Sequence, residues 1–149
     1  MATIQLPCDF KEFLRLLNAH HVEYLLIGGY AVNYYGYPRA TADMDIWIAV
    51  HPANADRVVA ALKEFGFDLP DLSPDLFLRD WQIIRLGVPP IRIEISTTIS
   101  GVDFGECYAA RVEDILDGVP VSLIRLQDLK RNKKVSGRHQ DLADLEHLP

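Results

Sequence analysis

The sequence has only two cysteines, Cys8 and Cys107, with no Cys-x-x-Cys and no histidine at ligand spacing from either. This argues against a disulfide framework and a zinc site and suits a reducing, cytoplasmic compartment. No segment approaches about eighteen uninterrupted apolar residues, and no basic stretch near the N-terminus leads into an apolar run. The sequence therefore predicts neither a membrane span nor an export signal. Repeats, low-complexity tracts and linkers are missing as well, so residues 1–149 are expected to form a single domain around one core. Positive charge is scarce: 15 Lys and Arg against 21 Asp and Glu leave a net charge of −6. Broad, sequence-independent binding to DNA or RNA rests on many Lys and Arg contacts to phosphate, and this balance argues against it while leaving room for a local basic patch. The 49% hydrophobic and 24% charged content is that of an ordinary globular chain and argues against disorder.

The most informative stretch runs from Tyr24 to Val50. An apolar strand, Tyr24 to Ile27, meets Gly28 and Gly29, where the absence of Cβ allows a tight turn and lets backbone N–H groups approach a ligand. A short helix is expected from about Tyr30 to Tyr35, stopped by Gly36 and kept from resuming by Pro38. The chain then returns as a strand from Asp43 to Val50. With a side-chain period of two, Asp43 and Asp45 share one face, while Met44, Ile46, Ile48 and Val50 share the other. Two carboxylates beside a glycine turn suggest divalent metal and phosphate. Arg39 and Thr41 sit on the turn just before Asp43, placed to contact phosphate or to order that turn.

Elsewhere, Asp9 and Glu12 resemble a capping box for a helix over Phe10 to His20, and His20-His21 suit that helix's C-terminal end. Pro52 opens a second long helix that Gly66 stops, and Asp68 to Pro74 reads as a loop. A strand over Trp81 to Leu86, a turn at Gly87 to Pro90 and a strand over Ile91 to Ile95 follow, with Glu94 as a third acidic candidate opposite three inward isoleucines. A short helix is expected over Phe104 to Ala110, and Asp117-Gly118 signals a hairpin whose outgoing strand is Val119 to Ile124. A basic helix over Leu126 to Val135 ends at Gly137, and a last helix runs through Asp141, Leu142, Leu145 and Leu148. Lys130, Arg131 and Lys134 read as a solvated face, and Tyr30, Tyr34, Tyr35 and Tyr37 as core and rim. The fold class is α/β (α+β): a mixed, twisted sheet with the carboxylates on neighbouring strands and helices mainly on the opposite face.

Gly28-Gly29, then Asp43-Met44-Asp45-Ile46, then Ile93-Glu94-Ile95 resembles the pattern of the nucleotidyltransferase superfamily that includes DNA polymerase beta. The phrase Arg39-Ala-Thr41-Ala-Asp43-Met-Asp45 is similar to one in its small bacterial AbiEii and MenT type toxin branch. The resemblance implies transfer of a nucleoside monophosphate from an NTP to a hydroxyl of tRNA or of a protein, with release of pyrophosphate. It implies two Mg²⁺ ions, or Mn²⁺ in their place, on Asp43 and Asp45, with Glu94 completing the metal site or taking the proton of the incoming hydroxyl. Gly28 and Gly29 would present backbone donors to the phosphates. Lys133, in Asn132-Lys133 ahead of Gly137-Arg138-x-x-Asp141-x-x-Asp144, would contact the triphosphate, with Asp141 fixing it. Arg138 and Asp144 would equally suit a structural ion pair.

Two positions depart from the pattern: many relatives have Ser at 29 and Asp at 94, so a hydroxyl is lost and a ligand lengthened by one methylene. Larger relatives add a helical domain, and a partner chain or a homodimer would supply the corresponding wall here. Two other functions share these residues: a nucleotide-binding or partner-binding module of a two-gene pair without transfer activity, and a metal-dependent phosphohydrolase.

Overall fold

Alternating apolar residues decide which way the central strands face. In β2 (Asp43–Ile48) and β4 (Ile91–Ser96), Met44, Ile46, Ile48, Ile93 and Ile95 are buried, which turns Asp43, Asp45, Arg92 and Glu94 to the other side. The structure, a computed structural model, describes residues 4–149; the first three residues of the expected 1–149 domain lie outside the described residues. With β1 (Tyr24–Ile27), β3 (Ile83–Val88), β5 (Val112–Leu116) and β6 (Val119–Leu123) the two strands form a six-stranded sheet in the order β3-β4-β2-β1-β6-β5. The sheet is mixed: β2 runs parallel to β4 and β1 parallel to β6, whereas β1–β2, β3–β4 and β5–β6 are antiparallel. Asp117 and Gly118 both have positive φ, at 48° and 82°, as a two-residue turn between antiparallel strands requires.

Helices cover both faces. On the side away from the carboxylates, α1 (Cys8–Ala19) and α3 (Pro52–Phe65) pack Phe10, Phe13, Leu14, Leu17, Val58 and Leu62 onto the isoleucines of β2 and β4. The expectation that helices lie mainly on that side holds for these two alone. Around a second cluster of Leu25, Trp47, Cys107, Ile124, Leu129 and Leu148, α2 (Gly28–Tyr34), α4 (Phe104–Ala109), α5 (Leu126–Ser136) and α6 (His139–His147) cover the other side. Trp47 and Leu25 alternate onto that face and need cover there. No helix among the described residues is long and apolar enough to cross a membrane.

Boundaries differ from the sequence reading in a few places for local reasons. Pro7, not Asp9, is the N-cap of α1, and no side-chain cap bond forms there, so the Asp9–Glu12 capping box is absent. The third strand begins at Ile83 because Trp81 takes φ 58°, which no extended strand accommodates, and it continues through Gly87 and Val88 opposite Arg92 and Ile91. Pro74–Phe77 makes a 3-10 turn that seats the buried Phe77. Gly66 ends α3 in the left-handed conformation at φ 119°, as its position in the sequence implies.

One buried polar side chain ties α3 to the sheet. Asn54 accepts from the Glu23 backbone N–H at 2.8 Å and donates to the Ala49 carbonyl at 2.8 Å, while His51 caps the helix by accepting from the Asn54 N–H. Replacing Asn54 by Ala leaves a buried donor and a buried acceptor without partners, and is expected to lower the unfolding free energy by about 2–4 kcal/mol in urea denaturation. A loss below about 0.5 kcal/mol would show that this junction relaxes freely.

Candidate active site

Strand register assembles the acidic residues into a row across the sheet. Ile27 at the end of β1 lies opposite Asp45, Asp45 lies beside Glu94, and Glu94 lies opposite Arg85 on the edge strand; one step along, Asp43 pairs with Arg92. The chain leaves β1 through Gly28, whose φ of +67° favours glycine and whose missing side chain matters, since a Cβ there would collide with Asp45 Oδ2. At Gly29 a Cβ would stand 2.6 Å from Thr41 Oγ1. A side chain at 29 would therefore crowd that of Thr41, whose hydroxyl donates to the Asp43 carbonyl at 3.2 Å and orders the turn. The helix after the glycines starts at Gly28 itself, two residues earlier than the sequence implied.

Three carboxylates this close demand compensation, and arginines supply part of it. Arg92 grips Asp43 with two bonds, Nε to Oδ1 at 3.1 Å and Nη2 to Oδ2 at 2.7 Å, and stands 3.7 Å from Glu94. Arg85 donates to Glu94 at 2.9 Å. Among the described residues no arginine pairs with Asp45. Burial, the charge of Glu94, a hydrogen bond with it and the charge of Asp43 push the Asp45 carboxyl up to about 7, with Lys133 pulling the other way. The donor chemistry suits a hard divalent cation, because the three carboxylates supply only oxygen from adjoining strands. Among the described residues no three acidic, histidine or cysteine side chains gather at metal-ligand spacing, with Arg92 and Arg85 engaging Asp43 and Glu94.

The opposite wall comes from α5 and α6. Lys133, only 4% exposed, donates to Asp141 at 3.2 Å and stands 2.9 Å from Asp144 Oδ2. The helix α6 turns Asp141 and Asp144 inward and leaves Leu142 exposed, the reverse of an apolar stripe, because cations await the acids. Against the opposing effect of burial, bonds from Arg138 and Ser136 and the nearby Lys133 hold Asp141 at about 2. The expected Arg138–Asp144 pair does not form. Arg138 donates to Asp141 at 2.8 Å, and Asp144 takes both arms of Arg39, at 2.8 and 3.0 Å. Arg39 therefore orders the turn ahead of Asp43 by anchoring it to α6.

A cavity of about 600 Å³ opens between these walls, lined by Gly28, Gly29, Arg39, Thr41, Asp43, Asp45, Glu94 and Lys133. Asp141 supports it from behind through Lys133. The sequence reading overlooked Arg85 and Arg92 as partners of the acids, and it paired Arg138 with Asp144 instead of Asp141. The only signal for Arg92 was its alternation with Glu94 on one strand face, and Arg85 depended on a register that no local pattern fixes. Arg131 and Lys134 are solvated as expected, Tyr30 is buried, and the Tyr35 hydroxyl donates to the Ile124 carbonyl at 2.7 Å. His20 caps α1 and lies 3.2 Å from Glu64.

This architecture is shared with proteins of known structure. A candidate nucleotidyltransferase from Thermotoga maritima superposes with a TM-score of 0.59 at 15% identity, over 93% of this chain and 88% of its own. A nucleotidyltransferase-like antigenic protein from Paracoccidioides brasiliensis gives 0.55 at 20% identity, over 95% and 76%. No family profile matches the sequence, and no curated protein matches it either. The chain has the nucleotidyltransferase fold.

The raised Asp45 carboxyl makes a stability prediction. The unfolded chain releases that proton near its ordinary value of 3.8, the native protein only near 7. Between these values the native state holds the extra proton, so stability falls as pH rises from about 4 to about 7. Asp45→Asn is expected to be more stable than the parent by about 2–4 kcal/mol at pH 8 in EDTA, and nearly equal to it at pH 4, in urea denaturation. An equal gap at both pH values would mean that Asp45 ionises normally.

Proposed function

We propose that the protein is a metal-dependent nucleotidyltransferase that moves a nucleoside monophosphate from an NTP to a hydroxyl of a macromolecule. The observation that carries this is the Asp45–Glu94 register beside the Gly28 turn, which joins three carboxylates to a backbone niche in one cavity. Asp43 and Asp45 would hold two Mg²⁺ ions, with Glu94 as the third ligand or the proton acceptor. The metal supplies charge neutralisation for the phosphates and lowers the barrier to attack at phosphorus. The backbone at Gly28 and Gly29 offers donors to the phosphate oxygens, the Thr41 hydroxyl would join them on turning from the Asp43 carbonyl, and Lys133, held by Asp141 and Asp144, offers a fixed cation. The acceptor oxygen bonds to the α-phosphorus as its proton passes to Glu94, and the bond to the bridging oxygen breaks with pyrophosphate leaving.

Arg92 would have to release Asp43 as metal enters. Its two bonds to Asp43 also favour a second reading, a nucleotide-binding module of a two-gene pair that performs no transfer. Placement in the AbiEii and MenT type branch, a toxin–antitoxin role and a cytoplasmic location are supported by the Arg39 to Asp45 phrase and the cysteine-poor sequence. The acceptor would be tRNA or a protein side chain, and a partner chain or homodimer would complete its wall.

Incubation with each α-labelled NTP, Mg²⁺ and cell lysate tests this. Label is expected on a macromolecule with the parent and to fall at least about 100-fold in Asp43→Asn. Release of the label by nuclease identifies RNA as acceptor, and release by protease identifies protein. Nucleotide binding with no transfer under any NTP would contradict transfer and leave the binding module; free NMP and pyrophosphate without labelled acceptor would indicate a phosphohydrolase.

A further inference from the structure

The same cavity has an apolar lip that the transfer chemistry does not use. Trp81 lines it and is 65% exposed, a large indole left in water at the mouth of a charged site. Its backbone is unusual too: φ is 58°, a conformation that a bulky side chain adopts only when its surroundings impose it. The imposing contacts are visible. The Trp81 N–H donates to Thr98 Oγ1 at 3.0 Å, and the next N–H, of Gln82, donates to Thr97 Oγ1 at 2.9 Å. Thr97, itself buried, returns its own N–H to the Gln82 carbonyl and its hydroxyl to that of Arg79. The indole is therefore held at the rim by a braced backbone, and among the described residues no aromatic ring stacks on it.

Beside it on the edge strand stand Ile83, 51% exposed, and Arg85, whose position opposite Glu94 puts the lip next to the acidic row and on the far side of it from Gly28. A ligand that matches this surface has a flat π face for the indole and anionic oxygens for the cations of the cavity.

We propose that Trp81 is the stacking platform for a nucleobase, with Ile83 extending the apolar surface under it. Stacking needs no particular base, since every base offers a π face. The inference rests on the nucleotide-transfer reading and adds to it a binding position for the base. The base belongs either to the NTP or to a nucleic-acid acceptor, and the two are separable by experiment.

Calorimetry with Mg²⁺ would compare the parent, Trp81→Ala and Trp81→Phe against each NTP, short single-stranded oligoribonucleotides, and inorganic tripolyphosphate, which has phosphates and no base. Trp81→Ala is expected to weaken at least one base-bearing ligand tenfold or more, Trp81→Phe to stay within about threefold of the parent, and tripolyphosphate to bind all three proteins alike. Weakening for an NTP assigns the base to the incoming nucleotide; weakening for the oligoribonucleotides alone assigns it to the acceptor. Unchanged binding of every base-bearing ligand by Trp81→Ala overturns the proposal, and does so in favour of a subunit contact if its assembly state shifts. Should the parent bind neither tripolyphosphate nor any NTP, the nucleotide reading itself fails, a distinct result.

Discussion

Like charges brought together by strand register are the constraint on which this structure turns. The isoleucines of β2 and β4 bury one face of each strand, and the parallel pairing of Asp45 with Glu94 then leaves three carboxylates no way to separate. A one-residue slip would relieve the repulsion only by driving the isoleucines into solvent. Apolar burial on one side of the sheet thus maintains an electrostatic conflict on the other, which burial sharpens by weakening solvent screening.

The surrounding charges follow from that conflict. Arg92 and Arg85 reach the acids along the sheet, and Lys133 approaches from α5. Lys133 is too buried to stand alone, so it brings Asp141 and Asp144, which in turn bring Arg138 and Arg39. Arg39 closes the circuit, since it lies on the turn that delivers Asp43. The segment between α2 and β2 is therefore fixed by charge more than by apolar packing, and the acid row and the α5–α6 wall are electrostatically one unit.

Much of this is legible in the sequence where the physics is local. Period two in Asp43–Ile48 and Ile91–Ser96 names the face of each acid, and Gly28, Gly36, Gly66 and Gly137 all take the positive φ their positions suggest. Asp117-Gly118 gives its turn without ambiguity. What depends on partners distant in the chain is not legible. The Arg39–Asp144 pair spans 105 residues, and nothing near Arg39 says that its guanidinium orders a turn instead of meeting phosphate. Glu94 looked like a free ligand because its arginine neighbour on β3 depends on the register of a hairpin. Trp81 read as the start of a strand, since side-chain propensity carries no hint of a left-handed backbone braced by Thr97 and Thr98. The layering of helices on both faces depended on where α4 to α6 return, which is again a tertiary matter.

We propose that the acid row is a cation site that arginine closes in the absence of metal. Crystals grown with Mn²⁺ and a non-hydrolysable NTP, measured for anomalous scattering, address it most directly. The expected result is a peak about 2.1 Å from carboxylate oxygens of Asp43 and Asp45, with Arg92 turned away from Asp43. Arg92 still bound to Asp43 at saturating Mn²⁺, with no anomalous density between the acids, would contradict it.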